Sequence, residues 1–162
     1  MKPFKTIKLL LSTLLLFVLS FNVYADNTNA EILDDSLQMQ KHLNILGYKI
    51  ITPDSDGNIL AVNNNNDILS LMKEPISGGF IIFTPYTLKN NIKKDIKFYK
   101  LLEKINNNDL IKAKVSDNFL VISMVSLHKY NKNDFTQIVN RFNDITSWIL
   151  KSYGKEISEY LK

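Results

Sequence analysis

The sequence predicts an α+β protein in which an antiparallel sheet of about five to six strands packs with about three helices. The first indication is a set of short runs rich in β-branched and aromatic residues, which turn residues separate at hairpin spacing. The second is a set of longer stretches in which apolar residues recur with the period of a helix. Strands joined by short turns pair antiparallel, and helices set apart from them in the chain pack on the sheet.

Helices that are buried along one side are predicted in three stretches. They cover residues 31–46, 88–105 and 135–149. Gly47 is suited to end the first helix, because glycine readily adopts the left-handed conformation found there. Asn133 is a suitable N-cap for the last helix, and Gly154 is expected to stop or kink that helix. The predicted apolar stripe of the middle helix consists of Leu88, Ile92, Ile96, Tyr99, Leu102 and Ile105.

Strands are predicted between clusters of turn residues. The segment 53–58 is dense in Pro, Asp, Ser, Gly and Asn, and the segments 63–66 and 116–118 have similar turn chemistry. Gly78-Gly79 opens a further strand, and three asparagines at 106–108 end the middle helix. The predicted strands cover residues 48–52, 59–62, 67–72, 80–84, 110–115 and 119–127.

The last predicted strand, 119–127, is apolar on both of its faces. Phe119, Val121, Val125 and Leu127 point to one side by the alternation of a strand. An antiparallel sheet with one face in water shows alternating polarity, so the second face of this sheet is expected to be covered by a helix, a second subunit or a client. We therefore hypothesise that Phe119, Val121 and Val125 lie on a surface that forms a homodimer or docks a protein partner.

The first 25 residues have the order of a secretory signal peptide. Lys2, Lys5 and Lys8 precede an apolar run over residues 9–23, which ends in a small-x-small step at Ala25. The apolar run is about 15 residues long, whereas a membrane-spanning helix needs about 20, which favours cleavage over anchoring. The sequence therefore predicts an exported protein, periplasmic or secreted, that is cleaved after Ala25.

Residues 26–162 are predicted to form a single domain, because no linker or internal repeat interrupts them. Three of the 20 basic residues lie in the leader and all 16 acidic residues follow it, which leaves a mature net charge of +1. A nearly neutral domain has no global electrostatic attraction for nucleic acid, so no nucleic-acid partner is predicted. The chain has no Cys, so neither a disulfide nor a lipid-modified cysteine is available.

The sequence carries few signals of catalysis, and no cofactor or metal is predicted. It contains neither a phosphate-binding glycine loop nor a nucleophile elbow. His42 is expected at the surface or boundary of the first helix, and His128 at the end of a strand, with no metal-ligand spacing between them. Asp54-x-Asp56-Gly57 departs from the pattern of a calcium loop, and a hairpin turn explains it. The alternatives to a binding protein are a secreted hydrolase built from distant carboxylates or His128, and a secreted virulence-type factor acting on host membranes or proteins.

Five lysines are spaced so that they would lie along one side of the predicted middle helix. They are Lys89, Lys93, Lys97, Lys100 and Lys104. Such a row is typical of a solvated face whose lysine stems shield the edge of the core. Like charges four residues apart slightly destabilise a helix, which gives some weight to a second interpretation, an anionic partner. An acidic protein or an anionic membrane surface would fit this face.

A pattern of hydrophobicity and turns over residues 34–153 resembles a known family. It consists of Leu46-Gly47-Tyr48 after the first helix, the helix end at 101–108, the hairpin at 111–124 and a closing helix around Phe135, Val139, Phe142 and Trp148. The pattern resembles the YbjN-like domain, a bacterial family with the type III secretion chaperone-like fold. The resemblance implies a sheet backed by helices, often dimeric, with a role in protein binding or regulation and no catalytic residues.

Secretion chaperones of this fold act in the cytoplasm, whereas this chain carries an export signal, so the resemblance transfers only the fold and a general binding habit. The sequence thus predicts an exported, non-enzymatic protein-binding module of the bacterial envelope, chaperone-like or regulatory, whose protein partner is unknown.

Overall fold

The computed structural model describes residues 29–53, 57–74, 77–90, 92 and 95–162. Ile32–Lys162 form one compact unit. The predicted leader and its cleavage step lie outside the described residues, and so do Asp54 and Asp56 of the turn segment 53–58.

The described chain contains three helices and six strands. In chain order they are α1 (Asn29–Ile45), β1 (Lys49–Pro53), β2 (Ile59–Val62), β3 (Ile68–Lys73), β4 (Phe80–Thr87), α2 (Ile96–Asn106), β5 (Lys112–Ser116), β6 (Phe119–Ser126) and α3 (Lys132–Ser158). The strands form one sheet in the order β1-β2-β3-β4-β6-β5, and every neighbouring pair is antiparallel. The predicted α+β class is confirmed.

The centre of the sheet is the long pairing of β4 with β6, which runs from Phe80↔Ser126 to Thr87↔Phe119. Sequence reasoning ended β4 at residue 84, but the strand continues through Pro85. Proline lacks the N–H group that a central strand needs. Pro85 is tolerated because the β3–β4 pairing extends only to Ser70↔Phe83, and Pro85 pairs with β6 alone.

One face of the sheet, here called the inner face, carries the hydrophobic core. Its strand residues are Ile59, Ala61, Leu69, Leu71, Phe80, Ile82, Leu120, Ile122 and Met124. All three helices add side chains to the same cluster. They are Met39 and Leu43 from α1, Phe98, Leu101 and Ile105 from α2, and Phe135, Val139, Phe142 and Ile149 from α3. A contact of 5.5 Å between the ring centroids of Phe80 and Phe135 joins β4 to α3.

The opposite side of the sheet, here called the outer face, is also largely apolar. Because successive side chains of a strand point to opposite sides, the register identifies the strand residues of this face. The outer face includes Leu60, Val62, Ile68, Ser70, Met72, Ile81, Phe83, Phe119, Val121 and Val125. The sheet therefore has the two apolar faces that the run 119–127 predicted.

The helix ends agree with the sequence at one position and differ at three others. Gly47 has φ +86° directly after α1, and Asn131 caps α3 in place of the predicted Asn133. The predicted stop at Gly154 is wrong, since α3 continues to Ser158. The helix predicted from residue 88 begins only at Ile96, where the Asp95 side chain accepts a hydrogen bond of 3.1 Å from the Phe98 amide.

The late start of α2 has a tertiary cause. Residues 87–89 pair with the C-terminal residues of the chain, through a bridge between Leu88 and Leu161. The Lys89 amide donates to the Tyr160 carbonyl at 2.7 Å, and the Lys162 amide donates to the Thr87 carbonyl at 3.0 Å. These bonds hold the segment in an extended conformation, so the helix cannot include it.

Candidate docking surfaces

The residues predicted on the outer side of the last strand lie on the outer face, at different depths. Val121 pairs with Pro85 and is only 5% exposed, and Phe119 is half-buried beside Thr87. Val125, which pairs with Ile81, is 49% exposed. The accessible part of this face is therefore the end of β6 that holds Val125.

Three apolar side chains lie side by side at this accessible end, and a fourth, Leu127, follows in the chain; we call these four residues the apolar end. Met72 of β3 pairs with Ile81 of β4, and Ile81 pairs with Val125 of β6, so the three lie side by side across neighbouring strands. Leu127 follows directly after β6 and is 65% exposed. Adjacent exposed apolar side chains on a sheet are typical of surfaces that contact another molecule. Sequence reasoning singled out Val125 but missed Met72 and Ile81, because only the strand register brings them beside it.

The middle of the outer face contains a polar group that the sequence did not point to. Ser70 lies between Leu60 and Phe83 and is 2% exposed. Its hydroxyl has no hydrogen-bond partner among the described residues. A buried hydroxyl without a partner destabilises a fold by about 1–3 kcal/mol, so Ser70 is a weak point of this face.

Two of the five predicted lysines are engaged within the fold. Lys89 lies before α2, and its ammonium group donates to the carbonyls of Ser158 and Glu159 at 2.9 Å each, at the end of α3. Lys104 forms an ion pair of 3.0 Å with Glu156, and its Nζ lies 5.9 Å from the centre of the Tyr153 ring. A cation at the carbonyl end of a helix is stabilising, so Lys89 stabilises the contact between the end of α3 and the segment before α2. Lys104 links α2 to α3 through its ion pair.

The other three lysines differ from these two. Lys97 and Lys100 lie on α2 and are exposed, with no ion pair to any described residue. Lys93 lies outside the described residues. Lys97 and Lys100 are thus the cations on the solvent side of α2 that form no ion pair among the described residues.

The buried side of α2 agrees with the predicted stripe only toward its C-terminal end, at Leu102 and Ile105. Phe98, Leu101 and Ile105 are buried, whereas Ile96 is 74% exposed and Tyr99 is 57% exposed. Both sets recur with helical spacing, and the predicted stripe also extends back to Leu88. The pairing of residues 87–89 with the C-terminus removes that extension and leaves Phe98 and Leu101 facing the core.

His42 is buried, so its predicted place at the surface or boundary is wrong. Its Nδ1 lies 3.2 Å from the Tyr130 hydroxyl and its Nε2 lies 2.8 Å from Oγ1 of Thr136. Burial lowers the pKa of His42 below its ordinary value, and the nearby charge of Lys132 lowers the pKa further. In a catalytic triad a carboxylate contacts the histidine, whereas here the phenol of Tyr130 takes that position. The contacts of His42 with Tyr130 and Thr136 are therefore best explained as a link between α1 and the start of α3.

No other site for chemistry is assembled within the described residues. His128 is exposed just after β6. No cluster of three or more His, Asp or Glu side chains in the described ranges is suited to hold a metal ion. In the same ranges, no helix combines the length and the apolar character needed to cross a bilayer.

Comparison with known proteins defines the fold of this chain. No family model matches the sequence, and no curated protein matches it. The crystal structure of YbjN from E. coli, described as a candidate transcription regulator, is similar with a TM-score of 0.61 and 13% identity, over 78% of this chain and 94% of that one. The structure of the HopA1–SchA chaperone–effector complex contains a chain that is similar with a TM-score of 0.50 and 9% identity, over 78% of this chain and 95% of that one.

These similarities confirm the YbjN-like, secretion chaperone-like fold that the helix, hairpin and closing-helix pattern suggested. At such low identities they show the fold alone.

Proposed function

We propose that this chain is an exported, non-enzymatic protein-binding module of the bacterial envelope, chaperone-like or regulatory in its action. The fold supports protein binding, because one structural neighbour is a chain of a chaperone–effector complex and the other is described as a candidate transcription regulator. The leader sequence supports export, because a positive start, an apolar run and a small-x-small step are arranged as in a signal peptide.

The observation that carries the binding role is the apolar end of the outer face, formed by Met72, Ile81, Val125 and Leu127. The buried apolar side chains of the helices belong to the core on the inner face. A client would place apolar side chains on the apolar end and remove them from water. Each square ångström of apolar surface buried in this way contributes about 25 cal/mol.

Client binding is tested by replacing the exposed apolar residues of this end. Val125→Asn and Leu127→Asn, separately and together, keep similar size and remove the apolar contact. Ile45→Asn is the matched control, because Ile45 is 75% exposed on α1 and away from the outer face. A photo-crosslinker placed at residue 81 identifies the captured protein in a periplasmic extract.

We expect the double variant to lose the crosslinked client, and the Ile45 variant to retain it. Clients that stay bound to the double variant would overturn docking at the apolar end. The alternative occupant is a second copy of this chain. Light scattering separates the two, because a homodimer that the double variant converts to a monomer identifies the second copy as the partner.

Export is tested independently of binding. The intact mass of the protein purified from its native host should correspond to a chain that begins at Asp26. A mass that includes Met1 would overturn cleavage and leave the binding role to be judged from the crosslinking alone.

A further inference from the structure

The first turns of α2 present apolar side chains to solvent beside unpaired cations. Ile96, Tyr99 and Lys100 are spaced at i, i+3 and i+4, so they lie on one side of the helix. Ile96 is 74% exposed and Tyr99 is 57% exposed, on the side of α2 away from the buried Phe98 and Leu101. We call the surface formed by Ile96, Lys97, Tyr99 and Lys100 the α2 patch.

The charged side chains around the α2 patch differ in whether they have a partner within the fold. Lys97 and Lys100 form no ion pair with any described residue, whereas Lys104, further along the same helix, is paired with Glu156. The carboxylate of Asp95 is occupied as the N-cap, where it accepts from the Phe98 amide. Glu103, two turns after Ile96 on the same side, limits the cationic region to the start of the helix. The sequence adds Lys93 and Lys94 just before this start.

We propose that the α2 patch binds the surface of an anionic phospholipid bilayer. Ile96 and Tyr99 enter the headgroup region, and the ammonium groups of Lys97 and Lys100 contact lipid phosphates. Interfacial helices combine apolar side chains on one side with flanking lysines in this way. The proposal depends neither on the apolar end of the sheet nor on a protein client.

The size of the α2 patch favours a lipid surface over a protein. A stable protein interface buries about 800 Å² on each partner, far more than two side chains and two lysines supply. A bilayer needs no complementary shape, and each lysine near an anionic leaflet strengthens binding about fivefold. Tyrosine is also among the residues that accumulate at the membrane–water boundary, because it has an apolar ring and a polar tip.

Depth-dependent fluorescence quenching tests the contact at the residue itself. Trp148 is the single tryptophan of the chain and is exposed on α3, so the unchanged protein is the matched control. The variant Tyr99→Trp with Trp148→Phe moves the indole to the α2 patch. Both proteins are mixed with vesicles of equal parts brominated phosphatidylcholine and phosphatidylglycerol, and with vesicles of brominated phosphatidylcholine alone.

We expect strong quenching at position 99 in the anionic vesicles, and weak quenching at position 148. Equal quenching at both positions would show that another segment, such as the apolar leader, holds the chain on the vesicle, and would overturn the proposal. Quenching at position 99 that is as strong without the anionic lipid would overturn the role of the lysines.

The affinity for the same anionic vesicles gives a second, independent readout. Lys97→Gln with Lys100→Gln should weaken binding about 25-fold, as the product of two fivefold effects. Lys112→Gln with Lys114→Gln removes the same charge from β5, whose lysines lie on the outer face, and should change binding little. The leader is common to all these proteins and cannot produce a difference between them. An equal loss of vesicle affinity in the two double variants would show that only net charge matters and would overturn the proposal. Capture of an acidic protein through Lys97 and Lys100, without any vesicle binding, would also overturn it.

Discussion

Asn106 and Ala113 are joined by two hydrogen bonds through one side chain. The amide nitrogen of Asn106 donates to the Ala113 carbonyl at 3.0 Å, and the Ala113 amide donates to Oδ1 of Asn106 at 2.6 Å. Ala113 is in the middle of β5, which is an edge strand of the sheet. Both peptide groups therefore face away from β6, and the asparagine side chain occupies the position of a further strand. The last residue of α2 thus closes the edge of the sheet that would otherwise be open to strand pairing.

Replacing Asn106 by Leu should destabilise the fold and open this edge. The substitution removes two hydrogen bonds, each worth about 0.5–1.5 kcal/mol, so we expect a loss of about 2 kcal/mol in the free energy of unfolding. Urea denaturation measures this loss, and sedimentation detects association through the freed strand. Asn107→Leu is the control, because the neighbouring side chain is exposed. Equal stabilities for the two variants would contradict the role of Asn106.

The hairpin after Asn106 was predictable from local chemistry, whereas the edge closure was not. Turn residues and strand-forming runs determine β5 and β6 over a few residues. The bond between Asn106 and Ala113 needs the helix end and the strand to be positioned first. Gly47 shows the same local predictability, since its left-handed conformation is a property of the single residue.

The surfaces were harder to predict because distant residues determine them. The sequence predicts Lys89 and Lys104 as members of one row. However, the partners of Lys89 lie 69 and 70 residues away in the chain, and the partner of Lys104 lies 52 residues away. His42 reads as a boundary residue, but its partners Tyr130 and Thr136 lie 88 and 94 residues away. Helical spacing cannot distinguish two apolar stripes of equal period, so the buried side of α2 depended on the C-terminal pairing of residues 87–89.

The burial of His42 should make the stability of the protein depend on pH. The folded-state pKa of His42 is lowered, whereas the unfolded chain takes up the proton near the ordinary value of about 6.5. Below that pH the unfolded state binds more protons, so the free energy of unfolding falls as the pH drops from 6.5 toward the folded-state pKa, and then levels off. Above about pH 7 this contribution is constant. Urea midpoints measured across this range test the expected slope.

Two histidine variants assign that slope to its residue. His42→Gln removes the titrating group and should flatten the dependence, with some loss of stability from the contacts to Tyr130 and Thr136. His128→Gln is the same substitution at an exposed position and should leave the slope intact. A slope that persists without the imidazole of His42 would show that another group controls it.

Ser70 and Ser36 should respond in opposite directions to the same substitution. The Ser70 hydroxyl is buried without a partner among the described residues, so Ser70→Ala should stabilise the fold by about 1 kcal/mol. The Ser36 hydroxyl donates to the Gly57 carbonyl at 2.9 Å and joins α1 to the turn before β2, so Ser36→Ala should destabilise by about 1 kcal/mol. Thermal unfolding of the two variants measures both effects. A loss of stability in the Ser70 variant would mean that its hydroxyl does have a partner in the native protein.

Gly79 and Gly154 form a second matched pair, which bears on the apolar end. A Cβ atom at Gly79 would lie 1.9 Å from the carbonyl oxygen of Ser126, which is backbone and cannot turn away. We expect Gly79→Ala to destabilise by about 3 kcal/mol or more and to displace the end of β6 that holds Val125. Gly154 lies inside α3 with open space around its Cβ position, so Gly154→Ala should stabilise by about 1 kcal/mol. If the Gly79 variant is as stable as the parent protein and still binds the client, then the close approach of the β3–β4 turn to Ser126 does not hold in solution, and the geometry of the apolar end must be revised.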